Sequence, residues 1–124
     1  MANNVDEFDA WLKARDALDD SLAEVLDYQN QQPFSDSPNS KYRRAGVQMD
    51  RLQDQIDRLV DVGLKQVDDS IASGNLITKL DSFAEKAKTE ANRLKNATKT
   101  ITSIVNVVNK VVGIVDKIAG LPFL

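Results

Sequence analysis

The most constraining feature of this chain is a run of apolar residues spaced alternately three and four apart. It begins at Leu80 and continues through Phe83, Ala87, Glu90, Leu94, Ala97, Ile101, Ile104, Val108, Val111, Val115 and Ile118. Only Glu90 interrupts its apolar character. A spacing that averages 3.5 puts all twelve side chains on one stripe of an α-helix, whereas a strand would scatter them over both faces. The segment is therefore expected to be one helix over 76–119. The polar positions of its second half support helix over strand: Thr102/Ser103, Asn106, Asn109/Lys110, Gly113 and Asp116/Lys117 form one narrow helical stripe.

Two further segments read as helices. Val5, Phe8, Trp11/Leu12, Leu18, Leu22 and Val25/Leu26 predict a helix over 4–30, with Asp6, Glu7 and Asp9 near its positive end. Residues 31–39 hold Pro33, Pro38 and a Ser/Asp/Asn cluster and read as a loop, with Ser37, Asn39 and Ser40 as candidate caps. Tyr42, Ala45, Met49, Leu52, Ile56, Leu59/Val60, Leu64, Val67 and Ile71 predict a helix over 40–72. Its Arg51, Arg58 and Lys65 recur every seven residues, as do Asp54, Asp61 and Asp68, which is the signature of a solvated face. Asp54 with Arg58 and Asp61 with Lys65 are acid-first pairs four residues apart. A turn at Ser73-Gly74-Asn75, with Gly74 in a left-handed position, would then close an αα-hairpin.

The expected fold is all-α: a single domain over 1–124 of three long amphipathic helices in an antiparallel bundle or extended hairpin, the third helix longest. At about 1.5 Å per residue the three would span roughly 40, 50 and 65 Å. Folding back at Gly74 sets Ser40 opposite about Val108, so an apolar tail over 101–124 overhangs its neighbours. Ile101–Gly120 holds eleven Val, Ile and Ala residues among its twenty, and the chain ends Leu121-Pro122-Phe123-Leu124. Exposed apolar surface on that scale normally serves an interaction.

Composition narrows the chemistry. The 124 residues include no cysteine and no histidine, which removes disulfides, thiolate chemistry and the commonest general base and metal ligand. There is no Gly-rich phosphate loop, serine elbow or metal-ligand spacing. The acidic series Asp50, Asp54, Asp57 and Asp61 has cations on the adjacent face and reads as solvated rather than as a metal site. Glu90 reads as a register-setting or buried-edge residue neutralised by Lys86 and Arg93, and Trp11 and Phe8 as seals of the first helix against the core. The Arg43-Arg44 pair opens the second helix at the wrong end of its dipole, so it answers either to the loop acids or to an outside anion. No catalytic residue, cofactor or metal is expected.

The net charge of −3 is uneven. Residues 1–31 carry eight acids and two bases, and residues 73–124 carry four acids and eight bases. The two ends are expected to attract each other within the fold. With acids diluting the bases and no aromatics among them, nucleic-acid binding is not expected. The opening Met1-Ala2-Asn3-Asn4-Val5-Asp6-Glu7 has neither a basic nor an apolar signal region, so the expected location is cytoplasmic, or outside the cell by a leaderless route.

Size and hairpin plan are similar to those of the small proteins exported by type VII secretion. Their Trp-x-Gly turn is absent, since the turn reads Ser73-Gly74-Asn75, and neither Tyr28 nor Tyr42 is followed four residues later by an acid. No family is assigned on this basis.

The expected function is non-catalytic: helix-mediated protein–protein interaction or self-assembly through the apolar tail. Its contact residues would be Ile101, Ile104, Val105, Val108, Val111, Val112, Val115, Ile118, Leu121, Phe123 and Leu124. The partner would be another protein or a second copy. The alternative is a membrane-active helix that lies on or inserts into lipid. A full span is disfavoured, because Lys110, Asp116 and Lys117 would cost about 8–10 kcal/mol against roughly 3–7 kcal/mol returned by the aliphatics. A third arrangement packs the tail back on its own bundle, with a break at Gly113 bringing the last stretch onto Phe34 and Tyr42.

Overall fold

The computed structural model describes residues 7–68, 74–96 and 99–120, with side chains over 9–62, 78–96 and 99–120. Among these, the chain forms α1 (Glu7–Asn30), α2 (Lys41–Asp68), α3 (Gly74–Asn96) and α4 (Ile101–Ala119), and no strand. The first two helices fall where the periodicity puts them, although 4–6 and 69–72 lie outside the described residues. The third expectation is corrected. The stretch read as one helix over 76–119 is two helices, and the resulting four span roughly 36, 42, 35 and 29 Å. No 65 Å rod remains to overhang its neighbours.

The break has a local cause. Thr100 is extended (φ −131°, ψ 163°) and caps α4: the Ser103 amide donates to Thr100 Oγ1 at 3.1 Å, and the Thr100 amide donates to Ser103 Oγ at 2.8 Å. This reciprocal box satisfies donors that a helix start otherwise leaves orphaned, and it offers the backbone an alternative to helical continuation. Heptad phase is blind to it, because Leu94, Ile101 and Ile104 keep their spacing across the break. The helix runs straight through Gly113, so the break falls at Thr100 and not where glycine suggested it. Gly74 is the first residue of α3 rather than a left-handed cap, and Ser73 lies outside the described residues.

The earlier boundaries are set by ordinary means. The Gln31 and Gln32 amides donate to the carbonyls of Tyr28 and Gln29 as α1 tightens and ends before Pro33. Ser40 opens α2, its Oγ accepting from the Arg43 amide at 3.1 Å. Between them Phe34 lies edge-on to Tyr42, ring centres 5.2 Å apart, and stays largely exposed.

Interhelical hydrogen bonds give the directions. Trp11 Nε1 donates to the Leu59 carbonyl at one end of α1, and Gln29 Nε2 to the Tyr42 carbonyl at the other, so α1 and α2 are antiparallel. Lys13 bridges Asp81 and Glu85, and Lys99 bridges Glu24 at 2.9 Å, so α1 and α3 run parallel. The pairs Arg51–Asn109 and Arg58–Asp116 make α2 and α4 parallel as well. Helix α1 packs on α2 and α3, and so does α4, which leaves α1 and α4 on opposite sides of the bundle. Of the ion pairs described between the first segment and the last, Glu24–Lys99 has the expected sense, acid first and base last, while the two made by Lys13 with Asp81 and Glu85 have the reverse.

Candidate functional site: the fourth helix and its cradle

The candidate contact residues divide by position on α4. Ile101, Ile104, Val108, Val111, Val115 and Ile118 are buried in the bundle's own core, and Val105 and Val112 are partly buried against it. Leu121, Phe123 and Leu124 lie outside the described residues. The seam expected to be uncovered is therefore covered within the chain. Folding α4 back at Thr100 lays that seam between α2 and α3, which removes from water the surface that a straight helix would expose.

Two further residues, Val107 and Ile114, are buried although they lie off the three–four stripe. They widen the apolar face on the side toward α3, while Val105 and Val112 widen it on the other flank. A helix seated against two neighbours needs such a broad face, whereas one paired with a single partner needs only the narrow seam. The signal was present in the doublets Val107-Val108 and Ile114-Val115.

A repeating polar ladder secures the α2 edge. Arg51 donates to Gln48 Oε1 at 2.8 Å and to Asn109 Oδ1 at 2.7 Å. One heptad on, Arg58 donates to Gln55 Oε1 at 3.0 Å and to Asp116 Oδ1 at 2.6 Å. Gln48 and Gln55 are themselves buried, so each orients a guanidinium from below. The seven-residue recurrence of Arg51 and Arg58 was expected to mark a solvated face. It marks instead the lip of the α4 cradle, with Arg58 turned to Asp116 rather than Asp54. Because both rungs join residues 58 apart in sequence, a slip of α4 by one turn would break both together.

Opposite this ladder, α3 and α4 border a groove of about 460 Å³ lined by Glu90, Arg93, Leu94, Lys99, Val107 and Lys110. Glu90 is buried and pairs with Arg93 at 3.3 Å. Its other expected partner, Lys86, sits over the Phe83 ring instead, 5.4 Å from its centre. Trp11 is buried as expected, with the Arg15 guanidinium 5.7 Å above its ring, while the Phe8 side chain is outside the described set. Arg43 lies 4.0 Å from the loop acid Asp36, and both are exposed. Asp50, Asp54, Asp57 and Asp61 are exposed, and among the described residues no group of three or more acids could hold a metal ion.

Electrostatically, the α1–α3 side is marked by Lys13. Its hydrogen bonds to Asp81 and then Glu85 hold its ammonium pKa above the ordinary lysine value. On α4 the charged residues Lys110, Asp116 and Lys117 are exposed, so this helix meets water with a thin polar strip and the core with everything else.

These features define a four-helix bundle whose last helix is both its most apolar element and a separately capped, laterally clamped one. No family model, curated protein or solved structure matches the chain.

Proposed function

We propose that this protein is a non-catalytic interaction module whose working element is α4, held in the cradle of α2 and α3 and delivered to a protein surface when it is released. The observation that supports this reading is how α4 is attached. Eight of its residues, Ile101, Ile104, Val107, Val108, Val111, Ile114, Val115 and Ile118, are buried, yet it has its own N-terminal cap. It is clamped laterally by two polar rungs at the surface. A helix of this kind keeps its local hydrogen bonds when it leaves, and the apolar contacts it surrenders are regained on the surface that receives it. A released α4 would present the same seam to another helix, by the helix-in-groove mode of recognition.

Native-state hydrogen exchange tests this. The amides of Ile104–Ile118 are expected to exchange through an opening several-fold more frequent than that of α1. Exchange of α4 only through global unfolding, at the rate of Ala14–Leu18, would sink the reading.

A released α4 would also suit a lipid surface, with Lys110 and Lys117 on its polar strip. Among the described residues no helix is long and apolar enough to cross a membrane.

A further inference from the structure

We propose that the surface α4 is delivered to is the α2–α3 cradle of a second copy of this chain, reached by straightening the connection between Asn96 and Ile101. This rests on the reading of α4 as the releasable element and names its partner.

Three observations carry it. First, the apolar stripe stays in phase across the connection. Ala87, Glu90, Leu94, Ala97, Ile101, Ile104 and Val108 keep their three–four spacing in the sequence whether the chain bends at Thr100 or not. The connecting residues Ala97-Thr98-Lys99-Thr100 include neither proline nor glycine, so nothing in their composition forbids a single helix over 74–119, about 69 Å long. Second, α4 packs on α2 and α3 and lies across the bundle from α1, so its departure leaves the α1–α2 and α1–α3 interfaces in place. Third, everything that receives α4 can be met from another molecule. The buried seam and the rungs Arg51–Asn109 and Arg58–Asp116 specify depth, direction and register without reference to which chain supplies them. Exchange of an identical element between copies needs only this, and the vacated cradle of each copy fits the α4 of the other.

The bent form is held by two local devices, the Thr100/Ser103 cap and the Lys99–Glu24 bridge that pins the connection to α1. Neither belongs to the buried seam or the arginine rungs. Weakening either shifts the chain toward exchange without altering the surface being exchanged.

The chain has no cysteine, so introduced thiols report cleanly. Full-length Arg51→Cys and full-length Asn109→Cys are mixed at high concentration, allowed to exchange, diluted and joined with a short bis-maleimide. The chain carrying both substitutions is the control for linkage within one molecule. Linkage between the two single variants, rising with protein concentration, is the expected result. Thr100→Ala with Ser103→Ala should raise the dimer association constant measured by sedimentation about tenfold, since a lost cap is felt at both connections. Thr102→Pro should lower it about a hundredfold: proline is accepted in the first turn of α4 but breaks a helix that runs on through it.

If the control links within one chain while the mixture never links, even without the cap, the exchange is refuted. Dimers that do not join position 51 to position 109 refute it as well, because they use another face. Binding to phosphatidylcholine–phosphatidylserine vesicles in place of dimer formation refutes the second copy as the occupant and assigns α4 to lipid. Frequent opening of α4 by hydrogen exchange without linkage between chains leaves the interaction reading standing and rejects only this partner.

Discussion

The two parallel helix pairs of this bundle are built on opposite principles. The α1–α3 pair is lined with alanine: Ala10, Ala14 and Ala17 on one helix and Ala84, Ala87 and Ala91 on the other, all buried. Small side chains bring the backbones close, and the pair is then tied by Lys13 to Asp81 and Glu85. The α2–α4 pair is built from bulk, the buried isoleucines and valines of α4 sharing one core with Leu52, Ile56 and Leu59 of α2, and is edged by arginine rungs. Close approach makes one pair intolerant of added volume. Bulky burial makes the other strong while it lasts, but separable, because each side keeps its own complete helix. On the proposed reading, α1–α3 is the frame and α4 the part that leaves it.

The hardest blow to that contrast is Val108→Asp combined with Val115→Asp. Both side chains are fully buried, and burying two unpaired carboxylates in their place should cost about 5 kcal/mol or more of α4 docking. Circular dichroism and hydrogen exchange should show α4 undocked, with α1 and α3 still protected. Simultaneous loss of all four helices would show the two pairs to be one cooperative unit and break the comparison. Next in size, Ala14→Leu or Ala87→Leu should destabilise by about 1–3 kcal/mol in urea titrations, because the close pair has no room to yield. Val111→Ile, which adds a single methylene to the bulkier pair, should cost about 1 kcal/mol, the low end of the same range. Equal costs would erase the distinction between a tight pair and a bulky one.

The smallest effect concerns pH. Lys13 titrates above the ordinary lysine value in the folded protein, so its contribution is complete below that value and is lost as pH rises through the higher folded-state pKa. Thermal melts from about pH 9 to about pH 11.5 should therefore show a slightly steeper alkaline decline in the unaltered protein than in Lys13→Met. Arginine keeps its proton over that range, so the α2–α4 rungs should contribute no such slope. Parallel declines in the two proteins would remove the Lys13 bridge as a distinguishing feature of the frame.

Much of this was legible in the residues. Apolar spacing located α1 and α2, and Pro33 and Ser40 marked the loop and the second cap, but six of the eleven residues expected to meet a partner are instead buried in the chain's own core. The cap at Thr100 was written as Thr100-x-x-Ser103, but the uninterrupted heptad outweighed it. The rungs were half visible: Arg51 and Arg58 stood out for their recurrence, while the equal spacing of Gln48 and Gln55, and of Asn109 and Asp116, acquires meaning only when the two helices lie side by side.

By itself the sequence determined that the chain is helical and most of the side chains that avoid water, because both follow from periodicity within a turn or two; Leu26 and Val60, on the expected stripes, are nevertheless exposed. Only the tertiary structure decided where the longest apolar stripe folds. A stripe in phase on both sides of Thr100 is equally compatible with a rod and with a bend. The choice falls to burial: bent, α4 hides eight apolar residues against α2 and α3, while straight, it leaves them in water until another surface arrives.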